Sequence, residues 1–171
     1  MQKEIIIEYK PSIDELAKAS YYPIFRNWKF RFFFCTILLA VGYNILYPLF
    51  DKENLRVLDF LPFILIPIFV YFSLKRVFDS SKKTLAKDPK FNEKRQLIIN
   101  LDSLTNVGES FKVKYLWNEF SKIEETNKWF LFYIGDFRVF PIIKNDLKDN
   151  QYNDLKELFN SINIKKSLNN N

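Results

Sequence analysis

The chain has 171 residues, no histidine, one cysteine and three glycines, and its 26 basic and 20 acidic side chains leave a formal charge of +6. Without histidine the commonest general base and metal ligand is missing, and a lone Cys35 excludes an intrachain disulfide and a cysteine zinc site. Gly42, Gly108 and Gly135 are too scattered to cradle a phosphate. No enzyme motif is left, so neither catalysis nor a cofactor or metal is expected.

Along the chain, Ile5, Ile7 and Tyr9 alternate with Ile6 and Glu8, the period of a short strand. Pro11 ends it. Ser12-Ile13-Asp14-Glu15 is a capping box and predicts a helix running to Arg26, with Pro23 kinking or ending it. Residues 1–31 thus form a leader of one strand and one helix. Two uncharged apolar runs follow, Phe32–Phe50 and Phe60–Leu74. At about 1.5 Å per residue they reach about 28 Å and about 22 Å, and extending the second back to Val57 places Asp59 at its edge. They predict a transmembrane helical hairpin over residues 32–74.

Arg26, Lys29 and Arg31 precede this hairpin; Lys75, Arg76, Lys82, Lys83 and Lys87 follow it, with Asp79 alone against them. The intervening loop sets Asp51, Glu53 and Asp59 against Lys52 and Arg56. Basic short loops stay in the cytoplasm, so the expectation is a multi-pass inner-membrane protein with both termini cytoplasmic and the bilayer as a partner. The eight basic flanking residues serve topology and lipid headgroups, and residues 75–89 form a juxtamembrane linker. With the positive charge concentrated there, no basic face remains for nucleic acid.

From residue 90 the texture is that of antiparallel strands. Leu97, Ile99 and Leu101 share one face, Asp102-Ser103 supplies a turn, and Leu104–Val107 follows. Phe111, Val113, Tyr115 and Trp117 then alternate with Lys112, Lys114, Leu116 and Asn118. Ser121–Thr126 and Trp129–Ile134 precede a Gly135-Asp136 hairpin turn into Phe137–Ile143, where Pro141 implies an edge or a bulge. Leu155, Leu158, Phe159 and Ile162 have helical spacing. The fold expected is α+β with membrane helices: a transmembrane hairpin plus an antiparallel barrel-like domain of pleckstrin-homology-like order over residues 90–164, closed by a C-terminal helix, with residues 165–171 as a tail.

Glu124 and Glu125, neighbours on one strand, point to opposite faces and read as a solvated strand end rather than an acid–base pair. Trp117 continues an apolar strand face and packs under the closing helix. Trp129, with Phe130, Phe132, Phe137 and Phe140, supplies core to the final hairpin, whose other face needs a cover: the leader, the membrane surface or a partner. Trp117, Trp129 and Lys144 are the candidate interaction surface.

The succession of leader strand and helix, apolar hairpin and β domain resembles the bacterial YcxB-like family. The resemblance is carried by Leu104-Thr105, Tyr115-Leu116-Trp117-Asn118-Glu119-Phe120-Ser121-Lys122-Ile123, Phe130-Leu131-Phe132-Tyr133, Phe140-Pro141-Ile142-Ile143-Lys144 and Leu158-Phe159. It covers nearly the whole chain and is strongest around Trp117 and Pro141. The basic residue expected directly after the proline stands three positions later, at Lys144. The family implies an integral inner-membrane protein with a cytoplasmic pleckstrin-homology-like domain, and no activity. The functional expectation is a membrane-anchored cytoplasmic binding module that regulates or neutralises a partner protein. The alternative is an anionic-lipid sensor acting through Lys82, Lys83 and Lys87.

Overall fold

The computed structural model describes residues 4–50, 61–136 and 138–169. The loop between the apolar runs, the extension to Val57 and the beginning of the last strand at Phe137 lie outside the described residues. In chain order the elements are β1 (Ile5–Tyr9), α1 (Ile13–Arg26), α2 (Trp28–Phe50), α3 (Leu61–Lys87), β2 (Arg95–Ile99), β3 (Ser103–Val107), β4 (Lys112–Leu116), β5 (Lys122–Glu125), β6 (Trp129–Ile134), β7 (Arg138–Ile143), α4 (Gln151–Ser161) and β8 (Lys166–Ser167). They fall into two compact units: the chain up to Pro23 together with Lys82 onward, and Ile24–Ser81.

In the first unit two four-stranded sheets form, ordered β1-β2-β3-β4 and β7-β6-β5-β8. The leader strand joins the first sheet, antiparallel to β2, with Ile5 opposite Ile99, Ile7 opposite Leu97 and Tyr9 opposite Arg95. That register puts every second residue of both strands on one buried face, where Ile5, Ile7, Leu97, Ile99 and Leu104 meet Phe130, Phe132, Ile142 and the α4 residues Leu155, Leu158 and Phe159 in one core. Leu101, expected on that face, is exposed. The turn begins a residue early: Asn100 Oδ1 accepts from the backbone N–H of Asp102 (3.0 Å) and Ser103 (2.9 Å), which takes Leu101 off the ladder.

The expected barrel is corrected to two open sheets. No ladder joins β4 to β5 or β1 to β7 among the described residues. Between β4 and β5 the chain turns through a 3₁₀ segment, Trp117–Glu119, and the Leu116 N–H bonds the Glu119 carboxylate at 2.8 Å instead of a neighbouring strand. Pro141 does lie on an edge strand, β7, where its missing N–H costs no ladder bond.

The second face of the β5–β7 sheet is covered by the leader helix. Ala19 and Tyr22 of α1 pack on Trp129, Leu131, Tyr133 and Ile143. Trp129 is therefore on the opposite face from Phe130 and Phe132, as the period of a strand requires. The capping box is half formed: the Glu15 N–H reaches Ser12 Oγ at 3.5 Å, while the Glu15 carboxylate accepts the Trp129 indole N–H at 3.1 Å.

The described residues of Ile24–Ser81 are largely helical, and many of their large apolar side chains, among them Phe32, Phe33, Leu39, Ile64 and Phe69, are exposed. Among the described residues no helix is long and apolar enough to cross a membrane. This corrects the transmembrane hairpin and, with it, the multi-pass inner-membrane placement. In α3 the uncharged part, Leu61–Leu74, reaches about 21 Å before Lys75 and Arg76, short of the roughly 30 Å of a hydrocarbon core.

Candidate functional site

A polar exception stands on the inner face of the first sheet. Arg95 is in phase with Leu97 and Ile99 along β2, and Asn106 is in phase with Leu104 along β3. Arg95 lies opposite Tyr9, and Asn106 lies opposite Leu97 on one side and Val113 on the other. Pairing thus gathers Tyr9, Arg95, Asn106 and Val113 at one end of the sheet. They line a cavity of about 650 Å³ whose apolar wall includes Phe111, Tyr115, Ile134, Val139, Phe140 and Pro141, with Leu16 and Ser20 of α1 beside them and the charged Asp88, Lys90 and Arg138 also in the lining. Its size is that of a small-molecule site.

Arg95 is 7 % exposed and Asn106 is 5 % exposed. Arg95 Nη2 donates to the Lys90 carbonyl at 2.8 Å, and the guanidinium carbon lies 4.8 Å from the Phe91 ring centre and 5.2 Å from that of Phe111. The two rings hold the cation by their faces. Arg95 Nε and Asn106 Oδ1, both buried, have no hydrogen-bond partner among the described residues. Burial pushes the Tyr9 hydroxyl above its ordinary pKa; nearby Arg95 pulls it down and Asp146 raises it further.

Glu93, a carboxylate under the influence of the Arg95 charge, is already engaged. Glu93 accepts from Ser110 Oγ at 2.5 Å and from the Ser110 N–H at 3.0 Å, and these bonds, the hydroxyl's foremost, hold its pKa below the usual carboxylate range. This clasp fixes the β3–β4 turn, where the Gly108 N–H donates to the Phe111 carbonyl at 2.8 Å. A Cβ on Gly108 would come within 2.3 Å of the Phe111 ring. Glycine there lets Phe111 lie against Arg95.

The paired glutamates are buried, which corrects their reading as a solvated strand end. Glu125 accepts from Lys144 Nζ (2.6 Å), Tyr152 Oη (2.7 Å) and the Asn169 N–H (2.9 Å), with Lys156 Nζ at 3.9 Å. On the other face Glu124 accepts from Lys122 Nζ (2.8 Å) and Tyr133 Oη (3.1 Å). Both are structural ties. Glu125 joins β5 to the residues after β7, to α4 and to the C-terminal strand.

Of the three residues expected to form an interaction surface, none presents its side chain outward, and the structure does not bring them together. Trp117 packs in the core at 6.4 Å from Phe159 of α4 and donates its indole N–H to the Asn100 carbonyl at 3.0 Å. Trp129 lies under α1, 5.9 Å from Tyr22. Lys144 is held by Glu125. Of the basic residues, Arg26, Lys29, Arg31, Lys75 and Arg76 belong to one unit and Lys82, Lys83 and Lys87 to the other. Lys82 is paired with Asp14, and Arg31 Nε donates to the Phe25 carbonyl at 3.1 Å. Among the described residues no group of three or more His, Cys, Asp or Glu is placed to hold a metal.

Sequence reasoning passed over Arg95 and Asn106. The signal was present: a charged residue and an amide each fall in phase with an apolar alternation, where a soluble strand face is expected to be uniformly apolar.

Residues 99–159 match the family model described as YcxB-like protein. The match runs from the end of β2 through Phe159 of α4, so the leader, the helical unit and Arg95 lie outside it. No curated protein and no solved structure matches the chain.

Proposed function

We propose that this protein, YcxB-like over residues 99–159, is a non-catalytic binding module whose ligand occupies the cavity between its two sheets. The observation that carries the reading is the pair of buried, unpartnered polar atoms, Arg95 Nε and Asn106 Oδ1, on residues that line a pocket with largely apolar walls and Asp88, Lys90 and Arg138 among its lining. Leaving a buried donor or acceptor unpaired costs about 1–3 kcal/mol each. A fold that keeps two of them on residues lining one cavity gains by presenting them to something. The chain has no histidine, Glu93 spends its oxygens on Ser110, and Asp88, the carboxylate in the pocket lining, accepts from the Lys90 N–H, which favours binding over turnover.

The test is a titration with the neutral fluorescent dye Nile red on the wild type and on Val113→Trp. Val113 is partly exposed at the cavity mouth, so an indole there fills the space at little cost to the core. Dye binding that falls in the variant, at unchanged thermal stability, supports the reading; equal binding in both overturns it.

A second reading keeps the partner protein. β4 ends the first sheet, its Lys112, Lys114 and Leu116 are exposed, and no strand pairs with its outer edge among the described residues. Such an edge accepts an extended segment from another chain. A photo-crosslinker at Lys114 that captures no protein in cells removes this reading.

A further inference from the structure

We propose that the ligand of the cavity is an amphipathic organic anion: a carboxylate that meets Arg95, a hydrogen-bond donor close to that carboxylate that meets Asn106, and an apolar chain lying along Val113, Tyr115 and Phe140. The inference rests on the binding reading above and adds the ligand's chemistry.

The charge comes from Arg95. A guanidinium cannot discharge by losing its proton, and this one is 7 % exposed and makes no ion pair with a carboxylate among the described residues. The rings of Phe91 and Phe111 and one backbone carbonyl stabilise the cation but do not neutralise it. Of the carboxylates nearby, Glu93 spends its oxygens on Ser110, and Asp88, in the cavity lining, accepts from the Lys90 N–H. A buried, uncompensated cation favours an anion strongly. With Nη2 committed to Lys90, the unused Nε–H suits one carboxylate oxygen better than the three oxygens of a phosphate, which need a larger set of donors.

The donor follows from Asn106. Its Oδ1 is the unpartnered atom, and an amide oxygen only accepts. A bare carboxylate cannot satisfy it; a hydroxyl on the carbon chain near the acid group can. The apolar body follows from the walls, where Val113 and Tyr115 face Phe140 and Pro141 across the gap. A medium-chain hydroxy acid has all three parts.

The experiment is isothermal titration of the full chain with 3-hydroxydecanoate, decanoate and decanol. Binding is expected to weaken in that order, with decanoate about tenfold or more tighter than decanol, the size of a hydrogen bond to a charged group. Arg95→Gln is expected to bring decanoate down to the level of decanol and to leave decanol unchanged. Asn106→Leu is expected to remove the advantage of the hydroxyl alone. Should Arg95→Gln not fold, the wild-type comparison of acid with alcohol still decides. Decanol binding as tightly as decanoate, with Val113→Trp blocking both, overturns the anion and leaves the cavity reading standing. No binding of any of the three, together with dye binding indifferent to Val113→Trp, overturns both.

Discussion

Replacing Glu125 by glutamine is a severe test of how the first unit is held together. The carboxylate is fully buried, and its oxygens accept from Lys144 at 2.6 Å, Tyr152 at 2.7 Å and the Asn169 N–H at 2.9 Å. Glutamine keeps the shape and one acceptor but no charge, which strands Lys144, itself only 16 % exposed, without its anion. Removing one partner of a buried pair costs about 3–5 kcal/mol, and the retained amide oxygen places Glu125→Gln at the lower end, about 3 kcal/mol. For a chain of this length that corresponds to about 6–12 °C in Tm. Urea unfolding followed by circular dichroism measures it, with the loss expected at pH 7. The pH dependence supplies a control. Burial raises the Glu125 pKa, but the bonds from Lys144, Tyr152 and Asn169 outweigh it and hold the pKa below the usual range. A carboxyl depressed in the folded state contributes its stability above the unfolded value near pH 4.3, and loses it as pH falls through the folded value. The difference between wild type and Glu125→Gln should therefore shrink in acid. A loss below about 1 kcal/mol at pH 7, or one that does not change between pH 7 and acid, would refute the argument that a charged network carries this contact.

Three further outcomes follow from the same structure. Hydrogen bonding to Glu125 raises the Tyr152 hydroxyl to about 12, so an ultraviolet titration should show a late-ionising phenol besides Tyr9 in the wild type, and Glu125→Gln should move that phenol toward about 10. Lys166 donates to the carbonyls of Phe159 (2.9 Å), Asn160 (2.8 Å) and Ile162 (2.9 Å) at the C-terminus of α4; Lys166→Met should cost about 1 kcal/mol and speed amide exchange in the last turn of α4. Trp117→Phe removes the indole bond to the Asn100 carbonyl and should destabilise by about 1–3 kcal/mol in denaturant melts, without altering Nile red binding at the cavity.

Much of the β domain was legible from local pattern. The alternation in β1 and β4, the Gly135-Asp136 turn, where Gly135 takes a φ of +71°, the edge position of Pro141 and the apolar spacing of α4 all follow from periods of two and 3.6 and from turn chemistry. These signals need only a few neighbouring residues. What covers each face does not. Pairing of β1 with β2 joins strands separated by the whole helical unit, and Trp129 finds its cover in α1, more than a hundred residues upstream. A solvated and a buried Glu124-Glu125 look the same in sequence, because the lysines and tyrosines that satisfy them come from other elements. The uncharged runs read as membrane spans, yet among the described residues no helix is long and apolar enough to cross a membrane. The sequence by itself determined which residues alternate and where the chain turns, since those are local sterics and hydrophobicity. Only the tertiary structure decided that two open sheets form, that α1 closes one of them, and that Arg95 and Asn106 line one cavity. Each of these depends on contacts between segments that the sequence holds far apart.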